Sequence, residues 1–137
     1  MKKLLLLSVM ILFAGMMFGQ TIQKGTYIGT HVFTVTLNPE VTMDQYIAFF
    51  QKKVIPEIEK NYEGWKVYLL KGLRGENANS YGLLFVIKSQ KDWDKYYNPD
   101  GSENAQGKAV NKKMQPINEE LSKLGLSETK YTDWLVQ

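Results

Sequence analysis

The chain has 137 residues, no cysteine and a formal charge of +3. Without cysteine there is no disulfide and no lipid anchor on a thiol, so the fold must rest on its core. Two of the basic residues, Lys2 and Lys3, precede an apolar run; without them 15 basic residues face 14 acidic ones, and the basic face that nucleic-acid binding requires is missing.

Met1-Lys2-Lys3, the apolar run Leu4 to Ala14 and the small residues up to Gly19 read as a secretory signal peptide, residues 1–19. The run is too short for a comfortable membrane span, so no membrane anchor is expected after cleavage and the product is expected to be periplasmic or secreted. Residues 20–137 then form a single domain with no room for a second.

Tyr27 to Leu37 predicts the first strand. It is β-branched and aromatic and alternates, with His31, Phe33, Val35 and Leu37 on one face and Val32, Thr34 and Thr36 on the other. A helix is predicted from Met43 to about Lys60. Thr42 is its N-cap, Gln45 completes a capping box, and Met43, Tyr46, Ile47, Phe50, Val54 and Ile58 form its apolar stripe. Pro56 lacks a backbone donor and should bend that helix around Lys52 to Ile55.

Trp65 to Lys71 predicts a second strand and Tyr81 to Ile87 a third, joined as a hairpin through a polar loop. The third is nearly unbroken apolar sequence, so both its faces should be covered. Ser89 with Asp92 starts a short helix through Tyr97, which the turn Asn98-Pro99-Asp100-Gly101-Ser102 stops. A last helix is predicted from Asn104 to Leu124, with Gly125 as a left-handed C-cap and Leu126 folded back onto Leu121. Tyr131 to Val136 is the predicted closing strand.

The order strand, helix, strand, strand, helix, strand is the split βαβ pattern: an α+β, ferredoxin-like βαββαβ fold with a four-stranded antiparallel sheet and helices on one face. Right-handed crossovers put the first and third strands in the centre. Val32, Leu70, Leu84, Val86, Trp134 and Val136 then lie on the face without helices. An exposed apolar sheet face calls for a cover, and a twofold homodimer with sheets face to face supplies it.

From Thr26 onward the chain resembles the dimeric α+β barrel superfamily, which includes antibiotic-biosynthesis-type monooxygenases and stress-responsive barrel proteins. His31-Val32-Phe33-Thr34-Val35 is similar to the opening of the first strand in the stress-responsive branch, and Asp92 to Pro99 to its short helix ending in a tyrosine before a proline turn. The resemblance implies a dimeric α+β barrel. Members that use acid-base chemistry often carry a second histidine after that proline; Asp100-Gly101 stand there in this chain.

His31, the only histidine, is the candidate catalytic acid-base, because an imidazole titrates near neutrality and partial burial tunes it. Tyr27, Tyr81, Tyr131 and Asp133 lie on strands that can share its side of the sheet. Tyr46, Phe49, Phe50, Trp65, Trp93, Tyr96 and Trp134 are the aromatic candidates for lining a cleft between sheet and helices. Arg74, the only arginine, is the candidate partner for a carboxylate on a ligand. The expected ligand contacts are thus Tyr27, Tyr46, Phe50, Trp65, Arg74, Tyr81 and Trp93.

No cofactor is expected, since no phosphate loop, dinucleotide fingerprint or catalytic triad is present. No metal is expected either: Asp94, Asn98, Asp100, Ser102 and Glu103 do not follow calcium-loop spacing. Three functions fit: a binder of a small apolar or aromatic ligand, a cofactor-independent monooxygenase or cyclase/isomerase with His31 as base, and a non-catalytic envelope interaction module.

Overall fold

The computed structural model describes residues 22–137; the expected signal peptide lies outside them. Strand β1, Tyr27–Leu37, occupies the predicted range. It pairs antiparallel with β3 (Tyr81–Ile87) on one side and β4 (Gly125–Leu135) on the other, and β2 (Trp65–Lys71) pairs with β3. The sheet order is β2-β3-β1-β4, with the two most apolar strands central. Strand and helix order and this sheet make the fold ferredoxin-like.

Helix α1, Met43–Phe49, starts on the predicted capping box: the Gln45 N–H donates to Thr42 Oγ1 at 3.2 Å and the Thr42 N–H to Gln45 Oε1 at 2.8 Å. The expected bend is a π-helical turn, Phe50–Val54, followed by helix α2, Ile55–Asn61. Pro56 has no N–H and its ring crowds the carbonyl one turn back, and a wider turn relieves both. Within it the Ile55 N–H bonds to the Phe50 carbonyl. The wider turn also keeps Tyr46, Phe50, Val54 and Ile58, each four residues from the last, along one side, where a strict 3.6-residue helix would wind them away.

Helix α3, Gln90–Asp94, is capped by Ser89 and is shorter than predicted, Tyr97 lying in a bridge to Glu103. Helix α4, Ala105–Ser122, is capped by Asn104, whose Oδ1 accepts from the Gln106 and Gly107 N–H groups, and it runs through Pro116. Its other end corrects an expectation. Gly125 is not among the left-handed glycines, and Leu126 is 67% exposed instead of folded onto Leu121. The last carbonyls are capped by the Asn38 side chain, which donates to Ser122 O at 3.1 Å and Lys123 O at 3.0 Å. Gly125 therefore opens β4, which begins six residues earlier than predicted.

The helices cover one face of the sheet over Phe33, Val67, Leu83, Phe85 and Ile87. The edge strand β2 is tied to α2 by Glu59, which accepts from the Val67 N–H at 3.0 Å and from Lys66 at 3.0 Å. On the helix-free face Tyr68, Leu70 and Trp134 are about half exposed. Val86, expected in that uncovered patch, is buried, flanked by Ile28 and Lys66 on the neighbouring strands. Among the described residues no helix is long and apolar enough to cross a membrane.

Candidate functional site

Tyr27, Gly29 and His31 alternate along the helix-facing side of β1, opposite Leu135, Asp133 and Tyr131 of β4 and Ile87, Phe85 and Leu83 of β3. Gly29 makes the gap. A Cβ there would lie 3.2 Å from Asp133 Oδ1 and 3.4 Å from Phe85 Cβ, so the carboxylate reaches over bare backbone between Tyr27 and His31. The His31 ring packs on Phe85 at 4.6 Å and on Tyr131 at 5.4 Å.

A ladder of near-parallel rings forms the adjoining wall. Tyr27 stacks on Trp93 at 5.3 Å, Trp93 on Tyr97 at 5.0 Å, and Tyr97 on Trp65 at 6.2 Å, with interplanar angles of 24–25°. The Ser89 cap of α3 sets Trp93, and the Tyr96 hydroxyl, accepting from the Glu63 N–H at 2.8 Å, pins the chain beyond it. Gly107 lets α4 sit directly on the Tyr96 carbonyl, where a Cβ would collide. Among the described residues the buried Trp65 Nε1 donor has no hydrogen-bond partner.

Helix α4 closes the space with Asn111, Met114 and Asn118, which recur at helical spacing, and Val54 and Ile58 add apolar contacts from the π turn and α2. Glu103 accepts from Asn111 Nδ2 at 3.1 Å. The result is a cavity of about 360 Å³ between sheet and helices, near the lower end of the usual range for small-ligand sites, about 300–1,000 Å³.

Burial pushes the His31 pKa down, partly opposed by the negative charge of Asp133, so the imidazole is neutral at neutral pH. Burial pushes the Tyr27 phenol up, and the facing Asp133 carboxylate raises it further. Tyr97 is likewise raised, first by burial and then by Tyr62. The cavity therefore presents protonated phenols and a neutral imidazole that can accept a proton. Among the described residues no three His, Asp or Glu side chains converge as a metal site.

Of the residues predicted for the site, His31, Tyr27, Trp65 and Trp93 meet here, together with Tyr131 and Asp133. Four do not. Tyr46 is fully buried in the core, and Phe50 stacks on Phe33 at 5.6 Å. Tyr81 lies opposite Phe33, with the Lys71 ammonium 5.8 Å from its ring, and Arg74 is exposed in the β2–β3 loop. The reason is register: Phe33 is two residues beyond His31, and whatever packs on it lies at the far end of the sheet. Sequence reasoning missed Gly29, Glu103, Asn111 and Asn118. The available signals were a glycine inside a β-branched strand and two asparagines flanking Met114 at helical spacing.

No family model matches the chain, and neither does any curated protein. Solved structures to which it is similar include SnoaB, a cofactor-independent oxygenase from Streptomyces nogalater, with 14% identity over 79% of this chain and 91% of that one and a TM-score of 0.46. A dimeric protein of ferredoxin-like fold from Bacteroides fragilis matches at 13% identity over 83% of this chain and 99% of that one, TM-score 0.45. A dimeric ferredoxin-like protein from Thermobifida fusca matches at 12% identity over 86% and 99%, TM-score 0.37. The fold named in the last two descriptions is the one that this chain's own strand order displays.

Proposed function

We propose that this is an exported homodimer that binds a small, largely apolar or aromatic ligand in the cavity between sheet and helices. The observation that carries the reading is the open volume itself. About 360 Å³ stays unfilled although Tyr27, Tyr62, Trp65, Phe85, Trp93, Tyr97 and Tyr131 all border it, where a plain core would close. Export rests on the basic and apolar residues that open the sequence. The second copy is proposed to cover Tyr68, Leu70 and Trp134, whose half-exposed side chains share one sheet face.

One set of samples tests both parts. Calorimetric titration with small aromatic compounds, on protein whose mass is followed by light scattering at micromolar concentration, should give saturable binding and twice the chain mass. A series with no binding sinks the ligand reading, and a monomer mass sinks the dimer.

A second reading draws on the carboxylate beside the imidazole. In that reading His31 takes a proton from an acidic O–H or C–H of a phenolic ligand, and the negative charge of Asp133, which works against the lowering of the imidazole pKa, favours the imidazolium that forms. The measurement is conversion of each compound that binds. Unchanged conversion by His31→Ala removes the base role, and binding without conversion in the wild type leaves the binder.

A further inference from the structure

Among the described residues that line the cavity, the two charged groups have the same sign. Asp133 enters from β4 and Glu103 from the turn before α4, while no lysine or arginine among the described residues lines the space. Neither carboxylate has an ion-pair partner among the described residues, whose ion pairs all involve other acids, Glu57, Glu59, Glu63 and Asp92. Lys108 and Lys112 line a separate outer groove that Glu103 also borders, with neither ammonium within ion-pair distance of it.

The electrostatic demand of such a space is specific. Two carboxylates with no cationic side chain beside them attract a cation, whereas an anion would meet repulsion from both. Protonated Tyr27 and Tyr97 add no charge of their own. The Tyr27 ring stacks on Trp93 at 5.3 Å and on no other ring among the described residues, so an aromatic guest would extend the stack at that end.

We propose that the cavity selects a cationic aromatic ligand, an aryl-alkyl amine or quaternary ammonium, whose ring stacks at the Tyr27 end of the ladder and whose positive charge is met by Asp133 and Glu103. The proposal rests on the cavity being a ligand site, as argued above, and adds the sign of the ligand's charge.

Three compounds on one ring frame separate the two claims: tryptamine, the uncharged 3-propylindole of the same shape, and indole-3-propionate. Titrated calorimetrically into the purified protein at low salt, tryptamine should bind about tenfold or more tightly than 3-propylindole, and indole-3-propionate most weakly. The double variant Asp133→Asn with Glu103→Gln, shown to be folded by its circular dichroism spectrum, should bind tryptamine and 3-propylindole equally, and a roughly tenfold preference for tryptamine that survives in it overturns the role of the two carboxylates. Equal affinity of tryptamine and 3-propylindole, or preference for indole-3-propionate, overturns the cation proposal and leaves the cavity as a ligand site. Binding of none of the three overturns both.

Discussion

The layer between sheet and helices has two ends built to opposite rules. At one end Phe33 lies between Phe50, at 5.6 Å and 14°, and Tyr81, at 6.4 Å and 20°, with Tyr46 against Phe50 at 5.7 Å. That end is filled. At the other, four residues back along the same strand, Gly29 contributes no side chain and α4 presents Asn111 and Asn118 beside Met114. That end is hollow. Both ends share β1 and β3, so a cavity here needs no special backbone. It needs one residue without a side chain at the middle of the wall and amides where a core helix would carry leucine. The solid end supplies cohesion that the hollow end forgoes.

A pair of variants breaks this comparison most directly. Phe50 is 8% exposed between two rings, and Phe50→Ala should cost about 3–5 kcal/mol in urea unfolding, a large part of a domain's total of about 5–15 kcal/mol. Phe50→Leu should lose less and remain folded. Gly29→Ala places its new methyl against the movable end of Asp133 and at ordinary contact with Phe85, so its effect should stay within about 1 kcal/mol. A loss of more than about 2 kcal/mol for Gly29→Ala would mean that the hollow end is packed as tightly as the solid one.

The same contrast explains what was legible in the sequence. Strands β1, β2 and β3 could be read to the residue, because alternation against a covered face writes itself into residue type. The Thr42 and Gln45 box located α1 for the same local reason. The first half of β4 could not be read: it is exposed like the second half, but Ser127, Glu128 and Lys130 lack the aromatic and β-branched character that marks Tyr131 to Leu135. Gly125 looked like a helix cap because composition does not reveal that Asn38, far away in sequence, supplies the capping donor. For the site, residue type identified aromatics suited to a wall without telling which end of the sheet each would reach. Phe33 and His31 share a face of β1, and only the pairing of Phe33 with Tyr81 and of His31 with Tyr131 separates the solid end from the hollow one.

The smallest expected effect is also the one that reads the hollow end by charge. Burial lowers the His31 pKa in the folded chain below its ordinary value near 6.5, with Asp133 pulling the other way. Between the folded and unfolded values the unfolded chain binds more protons. His31 therefore contributes stability that is fully present above about pH 6.5 and is lost as pH falls through that window. Asp92 and Asp100, both held below the usual carboxylate range by hydrogen bonds from Ser89 and Ser102, lose their contributions only as pH falls below about 4. The histidine window opens at about pH 6.5, well above that of the two aspartates, so the difference between urea midpoints at about pH 7.5 and 5 reads His31 while both carboxylates stay ionised. Wild type should be less stable at the lower pH, and His31→Gln should show a smaller drop. Asp133→Asn removes the charge that favours imidazolium, so its drop should be larger than that of wild type. Equal drops in wild type and His31→Gln would place the pH dependence elsewhere, and a smaller drop in Asp133→Asn would show that the carboxylate does not act on the imidazole.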